Sequence, residues 1–411
     1  MSFRRFILPA LAAIAALYAL SVTWRNHERA AGLDFYIYFV NAQLAARDDI
    51  DNIYAPEVQS RIGEEYFERA QRSGSELRKY DATRRRRLDN VSSPFLYTTL
   101  RWVSRDYERA LRQYHALVLA AFIAGVLLIA RRVRLSWAAA LFLLAALLLW
   151  YRGFEADLRV GNVNSLQLLM IGVLLNVAPG FSRASGGRAE ARPYVAGAVT
   201  GLLIAFKPNL VLIALLVLFA RVASHEWIRL RREVAGAAFG GAIALLAAAI
   251  NYGSFAVWLQ WLTAAAEFFG RLQTRAERNV APALALHEIG WGYAVAAVLI
   301  AIACFAIWKS KTRDDALIAG IAIVIYLLSA PVVWLHYMVL ALPLAIALMR
   351  NRATAVVSVI ALAMIAEEPF ELLFRVPVYP NDAWHIAPAL IALFVCGIWR
   401  MSDAHETAAA L

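Results

Sequence analysis

Charged residues are scarce in this sequence: they make up 17% of its 411 residues, while hydrophobic residues make up 61%. A soluble domain carries about a quarter charged residues, so this composition excludes an ordinary soluble protein. Cysteine is scarce as well. The two cysteines, Cys304 and Cys396, both lie inside apolar stretches, which argues against a disulfide framework and against a cysteine-ligated metal site.

Long apolar runs fill most of the chain instead. We predict an all-α, polytopic transmembrane protein of about twelve spans (10–13), which forms a single membrane domain over residues 1–411. The predicted spans are residues 6–23, 113–130, 135–151, 164–178, 193–206, 208–221, 233–250, 290–308, 315–330, 332–349, 353–366 and 384–400. Several are shorter than the roughly 20 residues that cross a bilayer, so the pairs around Lys207-Pro208 and Pro331 are predicted hairpins or broken helices. The first run is longer than a signal-peptide core, and we expect it to be retained.

The positions of the basic residues predict the orientation. The net charge is +11, and the arginines and lysines concentrate in alternate short connections, as the positive-inside rule requires of cytoplasmic loops. Both termini are therefore predicted to be cytoplasmic, in the cell membrane. Residues 24–112, with amphipathic helices, and residues 251–289 are predicted to be long extracytoplasmic loops. Because topology accounts for the basic charge, nucleic-acid binding is not expected.

Asp34 follows the first span by about ten residues. After it, Phe35, Tyr38, Phe39 and Ala42 repeat at helical spacing, which predicts an amphipathic helix on the membrane surface, with Asn41 facing elsewhere. Aspartate is a preferred helix N-cap, and a carboxylate is also a common general base. From this stretch alone, Asp34 is equally well interpreted as a cap or as a catalytic base.

Further polar clusters lie at the same predicted membrane edge. They are Arg159 to Asn164, Lys207-Pro208-Asn209, Trp334 to Tyr337, Glu367-Glu368-Pro369 and the connection from Arg375 to Trp384. Ionisable residues at membrane depth usually face a cavity or a partner, so these clusters predict an extracytoplasmic pocket. Taken singly, Lys207 is also compatible with snorkelling to headgroups and His336 with a structural role. The run Arg84 to Arg87 is interpreted as a solvated face, or as a contact to anionic headgroups.

The chain resembles glycosyltransferase family 87, the polytopic C-type enzymes related to polyprenyl-phosphate-mannose-dependent mannosyltransferases. The motifs that carry the resemblance are Asp34-Phe35-Tyr36, Ser93-Pro94-Phe95, Gly161-Asn162-Val163-Asn164, Gly201 to Pro208 and Ser329 to Tyr337, in the family's order. One departure is Asn162, where the family often has glutamine. The resemblance implies the C-type fold and an inverting, metal-independent transfer of a hexose, most often mannose, from a polyprenyl-phosphate donor to a lipid or glycan acceptor, without a cofactor.

This chemistry assigns a role to each candidate residue. Asp34 would be the general base that deprotonates the acceptor hydroxyl, and a neighbouring cation favours the ionised form of such a carboxylate. The departing phosphate needs donors placed in advance. The candidates are Lys207, His336, Arg159, Asn162 and Asn164, and Tyr36, Trp334 and Tyr337 are candidates for a sugar or prenyl groove. The sequence shows no metal-ligand cluster.

Two other interpretations stay open at this stage. One is a secondary transporter, whose broken helices would hold a solute near the middle of the membrane. It is less favoured because no internal repeat is evident and the polar residues concentrate at one membrane edge. The other is a non-catalytic membrane protein that retains the enzyme's fold.

Overall fold

The computed structural model describes residues 4–27, 30–45, 47, 49–177, 187–270, 279–310, 314–367 and 385–403. Within these ranges every regular element is helical, and an isolated antiparallel bridge joins Asn279 to Trp334. The first helices are α1 (Arg4–His27), α2 (Leu33–Leu44), α3 (Pro56–Gln71), α4 (Glu76–Arg84), α5 (Pro94–Thr99), α6 (Tyr107–Arg132), α7 (Trp137–Trp150), α8 (Arg152–Val160), α9 (Asn164–Val177) and α10 (Gly187–Phe206). The later helices are α11 (Val211–Ala223), α12 (Trp227–Tyr252), α13 (Ala256–Gly270), α14 (Leu284–Glu288), α15 (Gly292–Lys309), α16 (Asp315–Ser329), α17 (Leu342–Leu348), α18 (Arg352–Ala366) and α19 (Ile386–Ser402). Two 3₁₀ helices, Pro208–Leu210 and Leu335–Ala341, precede α11 and α17.

The described helices fit a membrane-embedded, all-α protein. Four of them, α1, α6, α12 and α15, are long and apolar enough to cross a bilayer, and α7 with α8 passes the same test as a pair bent by 62°. Shorter apolar helices occupy the remaining predicted spans. Each of the twelve predicted segments therefore falls on a helix, which confirms the all-α class. Twelve complete crossings stay a prediction.

α2 is buried on nearly every side, so the predicted amphipathic surface helix is wrong. Nine of its 12 residues are buried. Asn41, expected on an outer face, is 0% exposed, and its amide exchanges hydrogen bonds of 2.6 and 2.7 Å with that of Asn90. The reason is tertiary: α4, α5, α6 and α8 all pack against α2, and the local sequence carries no sign of these partners.

Small residues bring α10 and α12 together. A Cβ atom at Gly201 would lie 2.2 Å from the carbonyl oxygen of Ala237, and one at Gly240 would lie 2.1 Å from that of Ala198. Close backbone approach through small residues is a common way to pack helices in membranes. Because α10 ends at Phe206, this packing fixes the position of Lys207.

A buried ionic cluster holds the far end of α11. The Arg221 guanidinium is 1% exposed and contacts Glu233 at 3.1 Å and Asp315 at 2.7 Å. Arg229 contacts the same two carboxylates, both at 2.9 Å. Removing one partner of such a buried group typically costs about 3–5 kcal/mol. The cluster ties α11, α12 and α16 together about 15 Å along α11 from its start at Val211.

Candidate active site

Asp34 lies in the first turn of α2 but does not cap it. Gly32 is the N-cap residue, and no side chain makes a capping hydrogen bond there. The carboxylate instead accepts from Nη2 of Arg85 through Oδ1, at 2.7 Å, and from Nδ2 of Asn162 through Oδ2, also at 2.7 Å. The interpretation of Asp34 as a cap is therefore wrong. The side chain is 18% exposed, and each carboxylate oxygen has a second lone pair for a bound hydroxyl.

Arg85 positions both the backbone and the carboxylate at the start of α2. It is the C-cap residue of α4, and its Nε donates to the carbonyl oxygen of Leu33 at 3.2 Å. Asp81, one turn earlier, accepts from the backbone N–H of Gly32 at 3.1 Å and from the Tyr107 hydroxyl. Burial raises the pKa of this Asp81 carboxyl above its ordinary value, although both donors lower it. Asp81 in α4 and Arg85 at its C-cap thus hold the backbone of Gly32 and Leu33, the two residues before Asp34.

Sequence reasoning considered Arg85 only as a member of the run Arg84 to Arg87, and nothing local distinguishes it from its neighbours. In the structure, three of these arginines have different partners. The Arg84 guanidinium lies 5.7 Å from the centre of the Tyr80 ring, and Arg86 forms a two-pronged ion pair with Glu64. Among the hydrogen bonds and ion pairs of the described residues, Arg85 is the member of the run that contacts Asp34.

A tight turn presents Asn162 to Asp34. Gly161 ends α8 with φ +67, and a Cβ there would lie 2.7 Å from the Cβ of Phe35, so this close approach requires glycine. Oδ1 of Asn162 accepts from the Val163 N–H at 2.7 Å and from Nζ of Lys207 at 3.3 Å. Since Nδ2 donates to Asp34, the amide orientation is fixed, and Asn162 bridges the carboxylate and the ammonium group.

Lys207 lies at the break between α10 and the 3₁₀ helix that Pro208 begins. Its Nζ lies 4.6 Å from the centre of the Tyr337 ring, in a cation–π arrangement. These contacts direct the ammonium group toward Asn162 and Tyr337, so the snorkelling alternative does not fit. Of the three N–H donors on Nζ, the hydrogen bonds of the described residues use one, which leaves donors for an anion.

His336 and its aromatic neighbours, Trp334 and Tyr337, pack together beside Lys207. The His336 ring stacks on Trp334, with centroids 5.9 Å apart, and meets Tyr337 edge-on at 4.9 Å. It is 8% exposed, and its Nε2 has no hydrogen-bond partner among the described residues. The 3₁₀ helix that carries it has seven residues, which is longer than usual for this helix type.

Asp157 is a buried carboxylate that sequence reasoning missed. It is 0% exposed and accepts from Nδ2 of Asn164 at 2.9 Å and from both the N–H and the hydroxyl of Ser165, at 3.0 and 2.6 Å. Asn164 also donates to the carbonyl oxygen of His336 at 3.1 Å. Asp157 therefore fixes the end of the Asn162 turn and joins it to the His336 segment. Its only sequence signal is its place just before the Gly161-Asn162 motif.

The remaining predicted residues lie around this cluster. Tyr36 is 0% exposed and packs edge-on against Tyr107 at 5.5 Å, within the α2 packing, and its groove role stays a prediction. Arg159 is exposed on α8. Glu368, Pro369 and Arg375 lie outside the described residues. Among the described His, Cys, Asp and Glu side chains, no group of three or more is placed to hold a metal ion.

Comparison with known proteins identifies the family. The model of glycosyltransferase family 87 matches residues 92–331, more than half of the chain. The match includes Asn162 and Lys207, whereas Asp34 and His336 lie outside it. No curated protein matches the chain, and no solved structure does. The chain has membrane-type helices and matches the family model over more than half of its length. It therefore belongs to glycosyltransferase family 87 and is, by family, a glycosyltransferase.

Proposed function

We propose that the protein transfers a hexose from a polyprenyl-phosphate donor to an extracytoplasmic acceptor, with Asp34 as the general base. Mannose is the sugar that the family resemblance favours. The observation that carries the proposal is the bridge through Asn162: its amide binds the Asp34 carboxylate on one side and the Lys207 ammonium on the other. A displacement at a sugar phosphate needs a base for the attacking hydroxyl and positive charge for the leaving phosphate, and this amide holds both groups close together.

The transfer is a single displacement at the anomeric carbon. The acceptor hydroxyl gives its proton to Asp34 while its oxygen forms the new bond to that carbon. The bond from the carbon to the phosphate oxygen breaks, and the electron pair leaves with polyprenyl phosphate. The configuration at the anomeric carbon inverts because the two oxygens lie on opposite sides of it.

The leaving phosphate gains negative charge during this step, and protein donors already in place stabilise it. The Nζ atom of Lys207 donates to Oδ1 of Asn162 at 3.3 Å, and the buried Nε2 of His336 adds a polar group without a partner among the described residues. The aromatic rings of Trp334 and Tyr337 flank these groups and provide flat surfaces for a sugar ring. Asn162 and Asn164 hold these groups in position. The proposed transfer needs no metal ion.

The test is a transfer assay with membranes that contain the protein. Polyprenyl-phosphate mannose and polyprenyl-phosphate glucose, each with a labelled sugar, are supplied separately, and release of polyprenyl phosphate and appearance of labelled product are measured. We expect membranes with the wild-type protein to consume the mannose donor and membranes with the Asp34→Asn protein not to consume it. The anomeric configuration of the product, measured by NMR, should be opposite to that of the donor. Consumption of neither donor above the level of membranes without the protein would contradict the proposal.

A further inference from the structure

The Ser93-Pro94-Phe95 motif binds the chain directly before Lys207. Ser93 is the N-cap residue of α5, and its hydroxyl accepts from the Leu96 N–H at 3.2 Å. A proline at the next position favours the extended backbone that an N-cap residue adopts, and Ser93 has φ −64 and ψ 151. The same hydroxyl donates to the carbonyl oxygen of Phe206 at 2.9 Å. A hydroxyl has one donor and two acceptor sites, so both bonds form together.

The carbonyl of Phe206 needs this partner because it lies at the end of α10. The last four carbonyls of an α-helix have no N–H partner within the helix. The backbone then becomes extended at Lys207, with φ −155 and ψ 110. At membrane depth, a backbone polar group without a partner is costly. Ser93 is 1% exposed and supplies the partner from a distant segment, which stabilises the break.

The peptide group between Phe206 and Lys207 is held at both ends. Its carbonyl oxygen accepts from Ser93, and its N–H donates to the carbonyl oxygen of Leu203 at 3.0 Å. Because a peptide group is planar and rigid, these two bonds fix the direction in which the Lys207 side chain leaves the backbone. Its Nζ atom then donates to Oδ1 of Asn162 at 3.3 Å. Ser93 thus holds the start of the side chain, and Asn162 binds its end.

The segment that carries Ser93 also binds the helix of the proposed base. Asn90, three residues earlier, exchanges side-chain hydrogen bonds of 2.6 and 2.7 Å with Asn41 on α2. α2 carries Asp34 in its first turn. The two carbonyls between Asn90 and Ser93 accept from side chains of other segments, at 3.1 and 2.9 Å: that of Val91 from Trp261 and that of Ser92 from Tyr54. Residues 90–93 therefore connect α2 with the break at Lys207.

We propose that Ser93 is a positioning residue for sugar transfer. Together with Asn90, it sets the location of the Lys207 ammonium group relative to Asp34, and it acts on the leaving phosphate through Lys207. The proposal rests on the proposed function, in which Lys207 stabilises that phosphate. It also gives the Ser93-Pro94-Phe95 motif a role in the site, because the proline fixes the conformation in which the serine hydroxyl reaches Phe206.

The Lys207 segment has other supports, so loss of the Ser93 hydroxyl should slow the transfer rather than stop it. Asn162 still accepts from the ammonium group. On the other side of the break, Nε2 of Gln167 donates to Oδ1 of Asn209 at 2.8 Å. Without the Ser93 hydroxyl, the carbonyl of Phe206 is free to turn, and the ammonium group moves relative to the leaving phosphate.

A double-mutant cycle of Ser93→Ala and Lys207→Ala tests whether Ser93 acts through Lys207. Ser93→Ala should lower kcat per folded protein about tenfold, the effect of one lost hydrogen bond, and leave the KM for the acceptor unchanged. In the Lys207→Ala protein the same change should have no further effect on kcat, because the ammonium group is already absent. An equal loss in both backgrounds, or no loss in the wild-type background, would overturn the proposal.

Ser136→Ala is the matched control. Ser136 is the N-cap residue of α7, and its hydroxyl accepts from the Ala139 N–H at 3.2 Å, without a bond to another segment in the described part of the chain. Loss of this cap should leave kcat unchanged, and a loss equal to that of Ser93→Ala would overturn the proposal. Ser93→Cys keeps nearly the same volume with a weaker donor, so it should fold and give a smaller loss of kcat. It replaces Ser93→Ala in the cycle if the alanine protein does not fold.

Binding of polyprenyl phosphate to the purified full-length protein gives the same cycle without turnover. Its Kd should rise in the Ser93→Ala protein, and the double variant should bind as weakly as Lys207→Ala alone. A protein with this coupling that transfers no sugar would contradict the proposed function and leave Ser93 as a positioning residue of a phosphate site. A protein that transfers sugar but shows additive losses would overturn the role of Ser93 alone. A wild-type protein that binds no polyprenyl phosphate would overturn both.

Discussion

The amide of Asn162 donates from Nδ2 to Oδ2 of Asp34 at 2.7 Å, although the two residues are 128 positions apart in the chain. The same amide accepts from Lys207, 45 positions further on. Three distant segments therefore meet at one side chain: the start of α2, the turn after α8 and the break after α10. Gly161 allows this turn to approach Phe35 closely, so the contact depends on the backbone at Gly161 as well as on the Asn162 amide.

Asn162→Ala removes both hydrogen bonds of this bridge. Hydrogen bonds to charged groups contribute about 1.5–3 kcal/mol, so we expect kcat/KM to fall roughly 10- to 100-fold. The measurement is the rate of sugar transfer per folded protein, with the amount of folded protein taken from size-exclusion chromatography. Asn162→Gln keeps an amide and should retain more activity than alanine. An Asn162→Ala protein with normal kcat/KM would show that the bridge has no part in transfer.

Lys207→Ala and His336→Ala should reduce transfer more than they reduce the amount of folded protein. Loss of one donor to a developing anion costs about 3 kcal/mol in well-studied sites, or roughly 100-fold in rate. Lys309→Ala is the matched control, because Lys309 also lies over an aromatic ring, that of Trp308 at 4.7 Å, but belongs to the end of α15. If both site variants kept near-normal turnover, the donor phosphate would have to bind elsewhere, first at Arg159 or the Arg84 to Arg87 run.

The sequence was sufficient to predict the all-α membrane class and to place Asp34, Asn162 and Lys207 at one predicted membrane edge. Hydrophobic runs predict helices because each run is a local feature of the sequence. The expected break at Lys207-Pro208 is present because proline lacks the N–H that would continue the backbone hydrogen bonds of α10. The predicted environment of α2 was wrong for the opposite reason. Its partners come from four later helices, and no local periodicity reports them.

Arg85 and Asp157 show the same limit within the site. Arg85 lies among four consecutive arginines, and only the fold of α4 against α2 selects it as the partner of Asp34. Asp157 is one carboxylate in a short helix, and its importance comes from contacts made after the chain reverses at Gly161. Residue type and spacing suggest which groups can do chemistry, whereas the groups that position them depend on long-range packing.

The predicted orientation is testable without activity. A reporter fused after Arg131 should read as cytoplasmic, and one inserted near Arg72 should read as extracytoplasmic, because basic residues favour the cytoplasmic side. Dual alkaline phosphatase and green fluorescent protein fusions at both positions provide the measurement. The opposite pattern would place Asp34 in the cytoplasm and contradict the proposed extracytoplasmic transfer.

Asp81 should make the stability of the protein depend on pH. Burial raises the pKa of its carboxyl above the ordinary value of 3.8, so the folded state binds more protons than the unfolded state between the two values. The contribution of Asp81 to stability is therefore full below about pH 4 and decreases as the pH rises through the raised pKa. Asp81→Asn keeps an oxygen for Gly32 and Tyr107 but cannot titrate. We expect the Tm of the wild-type protein minus that of this variant to decrease from pH 4 to pH 7, and an increase would contradict the assignment.

Asp34→Asn tests the base directly. Asparagine keeps the size of the side chain and one oxygen for Arg85 or Asn162, but it cannot accept a proton at neutral pH. We expect the variant to fold and to bind the donor, while its turnover falls by about 10² to 10⁴. Thermal unfolding and binding of the sugar donor are measured as well as the rate. The reason is that the amide nitrogen of the Asp34→Asn side chain must face Arg85 or Asn162, which both donate hydrogen bonds to the carboxylate of the wild-type protein.

The next candidate bases in the same region are Asp48, Asp49 and Glu64; Asp48 lies outside the described residues, and two control variants address the others. Asp49 lies in ion pairs with Arg47 and Arg61, at 2.8 and 2.9 Å, and Glu64 pairs with Arg86. Both carboxylates are more exposed than Asp34, at 48% and 41% against 18%, and neither contacts Asn162 among the hydrogen bonds of the described residues. Asp49→Asn and Glu64→Gln should therefore keep near-normal turnover. An active Asp34→Asn protein together with an inactive Asp49→Asn or Glu64→Gln protein would move the base to that carboxylate and leave the membrane fold as described.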